Sequence, residues 1–388
     1  MNHTNRLRLS KLSIGLIVAL AAAPAFAQNT TSAIGGQVLG SDGQPVAGAE
    51  VTIVHTESGT VSRAVTDANG RYNARGLRVG GPYKVTANKE GAGTQTESDI
   101  YLALDQTSQI DISIGSAELD AIRVTGTAGP QIFSSDKMGA GTAISRAELD
   151  TYASVQRNLQ DYVRFDPRIS QTDKERGEIS AGGQNSRYNS ITIDGVATND
   201  TFGLEANNLP TAKQPISIDA IQSVQVNISN YDVTQKGYTG ANINAVTKSG
   251  TNDFKGSVYY IYRDDRGAGR RFNRTTGAYF DAPEFEEDTK GFTFGGPLLK
   301  DRLFFFAAYE ELTSTRSTPE FGPLGSARTN VAITQSAITG AQNIASTNYS
   351  VDIGSTEASG AELEVTDALL KLDANIGERH RASLRWSK

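Results

Sequence analysis

A change of composition at residues 247–262 constrains this chain more than any other feature. Its first part is mostly small and polar, with one glycine, and these residue types favour turns. An aromatic-rich run, Phe254–Tyr262, follows at once and has the composition of a β-strand. We predict a turn over residues 248–252 and a boundary between two domains at the same place. We name this boundary segment the seam, and it consists of Thr247, Lys248, Ser249, Gly250, Thr251 and Asn252.

Five strand candidates follow the seam. In the fourth, apolar Leu370 and Leu372 alternate with polar Lys371 and Asp373, and the last strand alternates in the same way up to Trp386. Such a two-residue period places apolar side chains on one face and polar ones on the other. The candidates are Phe254–Arg263, Phe292–Gly295, Arg302–Leu312, Ala368–Ile376 and a final strand over residues 381–386.

The connections between these strands alternate between short and long. Short turns are predicted at Gly295–Asp301, with a tight Gly296-Pro297 turn, and at Gly377–His380. Long polar loops are predicted at Asp264–Lys290 and Thr313–Asp367. A soluble sandwich with one wet face has the same alternation of residues. The connection lengths favour a transmembrane β-barrel, which has short turns at one end and long loops at the other.

The composition of the chain argues against several classes of protein. The mean hydropathy of -0.36 is too polar for a helical membrane protein, whereas barrels stay polar on average. No stretch after the first 27 residues is long enough for a transmembrane helix. The net charge of -6 gives no electrostatic case for nucleic acid. Cysteine is absent, which excludes disulfides, thiolate catalysis and cysteine zinc sites.

Residues 1–27 have the pattern of a secretory signal peptide. Basic Arg6, Arg8 and Lys11 precede a short apolar run, Leu12–Ala23. Small residues at positions 25 and 27 then predict cleavage near Ala27. The alternative is a short membrane anchor, although the apolar run is too short to span a bilayer as a helix.

Residues 28–116 predict a β-sandwich, because short alternating strands are separated by turn signals. Strands are expected around Val51, Tyr83 and Ile112, with turns at 41–43, 68–70 and 80–82. The segments GQVLGSDGQPVAGAEVTIV, TDANGRYNARGL and GPYKVTA resemble the carboxypeptidase regulatory-like domain, which is a prealbumin-like sandwich without catalytic function. A structural or docking role and a carbohydrate- or protein-binding role both remain open.

Residues 131–250 predict a mixed α/β domain. The stretch Ser145–Val163 has helical spacing, and Ser145 with Glu148 forms a capping-box pattern. Residues 191–193 predict a strand, Asp194-Gly195 predicts a hairpin turn, and Ile221–Ile228 predicts a further strand.

Three segments resemble the Oar-like branch of the TonB-dependent outer-membrane receptors. They are RYNSITIDGVATND, NAVTKSGTNDFKGSVYYIYR and GFTFGGPLLKDRLFFFAAYEE. The resemblance implies a mainly β protein with a plug at 131–250 and the first strands of a barrel at 251–388. The residues of the plug motif are Arg187, Tyr188, Asn189, Ile193, Asp194 and Gly195. The barrel of this family has about 22 strands, so we expect this chain to be the N-terminal portion of a longer protein, as from a truncated gene.

The resemblance also implies partners and a location in the cell outer membrane, with the N-terminal domain in the periplasm. The linker 117–130 contains a TonB-box-like segment, which pairs as an added strand with the inner-membrane protein TonB. Alternatively, this segment is the last strand of the sandwich. It consists of Ala121, Ile122, Arg123, Val124 and Thr125.

The implied function is uptake of a large or scarce ligand, either a siderophore, an oligosaccharide or a peptide. The alternative is adhesion or secretion through the same barrel, without uptake. Candidates for the ligand-facing surface are Asn199, Asp200 and Phe202, which simple turn chemistry explains equally well. Outer-membrane lipid and lipopolysaccharide are expected as surroundings.

The remaining chemistry is sparse. An arginine-rich loop at 263–274 is suited to lipopolysaccharide phosphates or an anionic ligand, or is simply a solvated loop. The three histidines, at positions 3, 55 and 380, form no zinc motif, and no serine-hydrolase or phosphate-loop motif occurs. We predict no enzyme activity, no metal and no cofactor.

Overall fold

The computed structural model describes residues 30–354 and 361–388, apart from 116–138, 175, 212, 214, 231–236, 276, 282, 318–320, 327–328 and 378–379. The fold is mainly β, as predicted, and three β-rich units follow one another along the chain. The predicted signal peptide and the TonB-box-like segment, 121–125, lie outside the described residues.

The first unit is a two-sheet β-sandwich. One sheet has the order β4-β1-β7 with β8 also on β1, and the other has the order β3-β2-β5-β6. Ile34, Ile53 and Ile112 are fully buried between them. The strands are β1 (Ser32–Leu39), β2 (Glu50–His55), β3 (Thr60–Val65), β4 (Arg71–Leu77), β5 (Gly80–Lys89), β6 (Gly93–Leu102), β7 (Thr107–Gln109) and β8 (Ile112–Ser113).

Two of the three turns predicted in the sandwich are confirmed. Residues 41–43 and 68–70 form turns, and Gly43 and Gly70 have the positive φ that glycine permits. The turn predicted at 80–82 is wrong, because these residues begin β5. The pairing of β5 with β6 shifts register between Gly80 and Tyr83, so the glycines mark a bulge within a strand.

His55 makes the stability of the sandwich depend on pH. Its ring is buried and Nδ1 lies 2.8 Å from Ser58 Oγ. Burial, followed by the positive charges of Arg78, Arg381 and Lys255, lowers the pKa of His55 from 6.5 to about 4. The unfolded chain therefore binds this proton more readily, and stability falls as the pH drops from 6.5 towards 4.

We expect the sandwich to lose about 2 kcal/mol of unfolding free energy between pH 7.5 and pH 5. Thermal unfolding followed by circular dichroism at both pH values measures this loss. A His55→Gln variant should show a flatter dependence, whereas His380→Gln, at an exposed position, should keep the full drop. An unchanged slope in the His55 variant would contradict the assignment.

The second unit, which we call the middle domain, has a five-stranded sheet of order β13-β12-β15-β14-β9 and a separate β10-β11 hairpin. Strands β12 and β15 are parallel. The elements are β9 (Gly139–Ile144), α1 (Arg146–Thr151), α2 (Leu159–Val163), β10 (Ile169–Asp173), β11 (Glu178–Ala181), β12 (Ser190–Ile193), β13 (Val196–Ala197), β14 (Ile221–Asn230) and β15 (Asn242–Thr247), with 3₁₀ turns at Ser186–Tyr188 and Ile218–Ala220.

The capping box of Ser145 and Glu148 is confirmed, but one helix over 145–163 is wrong. Helix α1 ends at Thr151, Tyr152 is extended, and Arg157 has a positive φ of 52°. The intervening loop is held by Asp161, whose carboxylate accepts from Ser154 Oγ and the Gln156 amide. Short polar side chains of this kind compete with helical hydrogen bonding, which the spacing of apolar residues does not reveal.

The third unit, which we call the wall, is an antiparallel sheet of order β16-β19-β20-β23-β24. All five predicted strands are present, and among the described residues β16 and β24 are its edges. Its elements are β16 (Lys255–Asp264), β19 (Phe285–Leu299), β20 (Leu303–Arg316), β23 (Ala361–Ile376) and β24 (His380–Ser387). The connections contain a 3₁₀ turn at Asp265–Gly267 and β17 (Arg271–Asn273), β18 (Ala278–Phe280), β21 (Phe321–Gly322), β22 (Thr329–Asn330) and α3 (Gln335–Tyr349).

The tight turn predicted at Gly296-Pro297 is wrong, because both residues lie inside β19 and the chain reverses at 300–302. Pro297 is tolerated there because the pairing of β19 with β16 ends at Gly295, so no partner on that side needs its missing amide. The strands also continue several residues into both predicted loops. We call the end of the wall at Lys255 and residues 300–302 the seam end, and the end at Asp264 the far end.

The two faces of the wall differ, as the alternation predicts. Outward-facing Val258 and Leu384 are 88% and 68% exposed. Phe306, Ala308 and Leu369 face inward and belong to the same buried cluster as the core of the middle domain. No helix among the described residues is long and apolar enough to cross a bilayer.

Candidate functional site

The seam is the covalent start of the junction between the middle domain and the wall. Residues 248–254 form an irregular connection with a bend at Asn252 and Asp253, so the predicted turn over 248–252 is wrong in detail. A Cβ on Gly250 would lie 2.3 Å from Phe305 O and 2.8 Å from Gly296 O. The glycine is therefore required for close approach to β19 and β20. Burial, then the nearby charge of Arg146, lowers the pKa of Lys248 to about 8.

Asp194 is the centre of a polar cluster at the junction, which we call the seam-end cluster. Asp194 and Gly195 both have positive φ and form the predicted hairpin turn between β12 and β13. The Asp194 carboxylate accepts from Thr247 N at 2.8 Å and Thr247 Oγ1 at 2.7 Å. The turn thereby holds the last residue of β15, where the seam begins.

Two cations of the wall complete the seam-end cluster. Arg385 Nη1 donates to Asp194 at 3.1 Å and to Ile193 O at 2.8 Å. Lys371 Nζ lies 4.0 Å from the same carboxylate and donates to Thr247 Oγ1. All three charged side chains are at most 16% exposed. Removing Asp194 would leave both cations poorly solvated and without their shared carboxylate.

A second polar cluster, which we call the central cluster, joins β16 and β20 to the middle domain. Glu310 of the wall accepts from Ser217 Oγ at 2.9 Å and from Tyr259 Oη at 2.5 Å. Arg157 of the middle domain lies 3.9 Å from Glu310 and 4.9 Å above the Tyr259 ring, and it also pairs with Asp219.

A third polar cluster lies nearer the far end. Glu287 of β19 is buried and pairs with Arg263 at 2.8 Å. Lys213 of the middle domain lies 3.9 Å from Glu287, and burial of the Lys213 ammonium group lowers the pKa of Lys213. Arg263 Nη1 also donates to Val155 O at 3.2 Å. The second and third clusters were not predicted from the sequence. The available signal was a charged residue at an inward position of a strand, namely Glu310 in β20 and Glu287 in β19.

Asn189 of the plug motif organises the opposite end of the middle sheet. It is 2% exposed, and its amide donates to Ile179 O and accepts from Ala241 N. Its backbone oxygen accepts from Asn199 and Asn208. Of the other motif residues, Ile193 is buried, whereas Arg187 and Tyr188 are exposed.

The three candidates for the ligand-facing surface have different environments. Asn199 Oδ1 accepts from Ile191 N, and Asp200 accepts from the amides of Phe202 and Glu205. These amides, that of Glu205 foremost, lower the pKa of Asp200. Phe202 is 85% exposed at the tip of the loop. Asn199 and Asp200 therefore hold the loop, and Phe202 is the side chain that it presents.

The arginines of the arginine-rich loop have two kinds of environment, one buried and one exposed. Arg263 turns inward to Glu287, as described above. Arg266 pairs with Asp264 and Arg270 pairs with Asp281, both with exposed guanidinium groups. Among the described residues, no group of three or more histidine, cysteine or carboxylate side chains is arranged to hold a metal ion.

Comparisons with known proteins agree with this architecture. The carboxypeptidase regulatory-like domain family matches residues 33–115, and the outer membrane beta barrel domain family matches residues 246–350. The TonB-dependent transporter Oar of Myxococcus xanthus is 29% identical over 309 residues. This match covers 76% of the chain and 28% of the Oar protein.

Two solved structures align with part of this chain. The outer membrane transporter YddB of Escherichia coli matches 63% of this chain and 32% of its own, with a TM-score of 0.44 and 14% identity. The siderophore receptor PirA of Acinetobacter baumannii matches 64% of this chain and 31% of its own, with a TM-score of 0.42 and 21% identity. The chain thus spans about a third or less of the length of these relatives.

Proposed function

We propose that this chain belongs with the Oar-like TonB-dependent receptors and acts in energised uptake across the outer membrane, which the matches to the outer membrane beta barrel domain family and to Oar support. In this proposal the middle domain is a plug and the wall is part of the barrel that encloses it. The observation that carries the proposal is the junction itself. A compact α/β domain packs against the inner face of a sheet whose outer face is apolar.

The character of this junction supports movement of the plug without loss of the wall. Three clusters of buried or half-buried charge link plug and wall, and each contains charged side chains of both units. Hydrogen bonds between charged groups depend on a fixed geometry, and these interactions become weaker when water enters. The backbone hydrogen bonds between the strands of the wall do not depend on contact with the plug. A pull on the plug would therefore break the polar clusters before it disturbed the wall.

The orientation follows from the chain path. Strands β12 and β15 run in parallel towards the seam end, where the sandwich also lies. We place the seam end in the periplasm and the long connections at the far end outside the cell. Tyr188 and Phe202 then lie on the outer side of the plug, where they are suited to contact an incoming ligand. The ligand is a siderophore, an oligosaccharide or a peptide in this proposal.

The test uses the TonB-box-like segment 121–125. Proline lacks the amide that strand addition requires. Val124→Pro in the whole protein is therefore expected to abolish crosslinking to TonB, while ligand binding at the cell surface stays unchanged. Because residues 1–388 contain no cysteine, a single Ile122→Cys supplies a crosslinking position that is unique within them in both backgrounds.

A matched control places the proline outside this segment, as Thr127→Pro. Full crosslinking in the Val124→Pro protein would refute the box assignment. The second candidate function is adhesion or secretion without uptake. Under that reading, cells lacking TonB would retain full activity of the protein, and this measurement separates the two. We propose a transport role and no enzymatic one, since the related proteins are transporters and receptors.

A further inference from the structure

The sandwich docks on the seam end of the wall through a set of polar contacts. Lys255 of β16 pairs with Glu57, whose backbone oxygen also accepts from Asn252 N at 2.7 Å. Asn375 of β23 donates to Thr60 Oγ1 at 2.9 Å. Arg381 of β24 donates to Gly76 O at 2.7 Å and to Ser62 Oγ at 3.0 Å.

One point of this contact requires close steric fit. Gly59, in the turn between β2 and β3, has a φ of +63°. A Cβ at this position would lie 2.0 Å from Asp301 Oδ1 and 2.8 Å from Asp301 Cγ. Asp301 is held there by Asn252, whose Nδ2 donates to Asp301 Oδ1 at 2.7 Å. The turn therefore fits the wall only because residue 59 has no side chain.

A cavity of about 560 Å³ lies between the sandwich, the middle domain and the wall. Its lining mixes polar and apolar surface and includes the seam-end cluster described above, together with Ser249 of the seam. The cations that line it already have partners. Arg78, for example, donates to Gly250 O at 3.1 Å and lies over the Phe304 ring. The lining thus gives no sign of a resident ligand.

The two interfaces of the wall differ in kind. The buried core of the middle domain continues into wall residues Phe306, Ala308 and Leu369. The core of the sandwich is a separate cluster that contains no wall residue. Apolar burial contributes most of the free energy of a packed interface, whereas exposed ion pairs, and buried ones such as Arg78 with Asp373 at 4.0 Å, contribute little net free energy each. The sandwich is therefore the more weakly held of the two neighbours.

We propose that the sandwich is a detachable cover over one side of the cavity at the seam end of the plug–wall junction, and that it leaves by breaking the contacts at Glu57, Gly59 and Thr60 together with those of Arg78 and Arg381. Docking and release are properties of the described residues and do not depend on the proposed function. The use of release as an opening step in uptake does rest on that function, because only a transporter needs a path through the seam end.

The test reads exposure of the cavity directly. Ser249→Cys introduces a thiol on the cavity lining, and residues 1–388 contain no other. In the purified whole protein, a maleimide carried on a long polyethylene glycol chain should modify this thiol slowly, because the docked sandwich obstructs the approach of the polymer from one side of the cavity. Adding Gly59→Asn should accelerate the modification about tenfold. A tenfold change corresponds to a loss of about 1.4 kcal/mol of docking free energy.

Gly43→Asn is the matched control. Gly43 also has a positive φ, of 75°, and a Cβ there would meet nothing within 4 Å. Both substitutions therefore place asparagine in a left-handed turn of the sandwich, and only one obstructs docking. Equal modification rates in Ser249→Cys alone, with Gly59→Asn and with Gly43→Asn would overturn the proposal that the sandwich covers the cavity. Equal acceleration by both asparagines would also overturn it, because the effect would then come from destabilising the sandwich.

A second measurement checks docking itself. Cysteines replacing Glu57 and Lys255, whose charged atoms lie 2.5 Å apart, should be joined in high yield by a short bis-maleimide. Gly59→Asn should lower this yield about tenfold, and Gly43→Asn should leave it unchanged. High yield in the Gly59 variant would contradict the proposed contact. Neither experiment uses TonB or a ligand, so its outcome is independent of the Val124→Pro result.

Discussion

Replacing Phe306 by alanine is expected to lower the unfolding free energy of the middle domain by about 4 kcal/mol. Phe306 belongs to the wall but is 5% exposed and is a member of the buried cluster that includes Ile191 and Ile243 of the middle domain. Truncation removes the transfer free energy of the ring and leaves a cavity between two rigid sheets. Neither sheet can collapse into that cavity, because the strand pairs hold both backbones.

The neighbouring residue supplies the control. Phe305 lies on the outer face of the same strand, where its ring stands 5.6 Å from that of Phe294. Phe305→Ala should cost about 1 kcal/mol or less, since only an aromatic pair and an outer surface are affected. Urea unfolding of the whole protein in detergent, followed by proteolysis of the unfolded middle domain, measures both variants. Equal losses would show that Phe306 does not join the two units.

Replacing Asp194 by alanine is expected to cost about 3 kcal/mol by the same measurement. The substitution removes both acceptors of Thr247 and leaves Lys371 and Arg385 with unpaired charges at 8% and 16% exposure. We expect a smaller loss of unfolding free energy than for a fully buried ion pair, because Asp194 lines the cavity and water reaches the cluster from there. The seam should become more accessible to protease, because Thr247 loses its anchor.

A double-mutant cycle distinguishes loss of the ion pairs from loss of the turn. Lys371→Met in the Asp194→Ala background should recover part of the lost stability, because one uncompensated charge is removed. Additive losses in the double variant would indicate that Asp194 acts through Thr247 alone. Asp200→Ala is a useful reference, since its carboxylate binds only amides of its own loop.

Much of the wall was predictable because its pattern is local. A period of two places Leu384 and Trp386 on one face and Arg385 on the other whatever the partner strands are. The strand ends were less predictable. Pairing with a longer neighbour extended β19 from a predicted four residues to Phe285–Leu299. The predicted turns at 80–82 and 296–297 were wrong, because glycine and proline also mark bulges and unpaired edges within strands.

The candidate site was predictable only in part. Asp194 and Gly195 carry a local turn signal, and the structure places them where the sequence predicts. The role of Gly250 was misread, because close approach to another strand and a turn conformation both select glycine. The central cluster around Glu310 and the third cluster around Glu287 gave no local signal beyond a charge at an inward strand position.

The sequence by itself determined the three β-rich units, the two faces of the wall and the position of the seam, since each depends on residues within a few positions of one another. Only the tertiary structure decided which charges meet. Lys371 reaches Thr247 across 124 residues, Arg385 reaches Asp194 across 191, and Asn375 reaches Thr60 across 315. The physical reason is that ion pairs and docking contacts depend on distances of a few ångströms between side chains. Those distances arise only when separate sheets pack together.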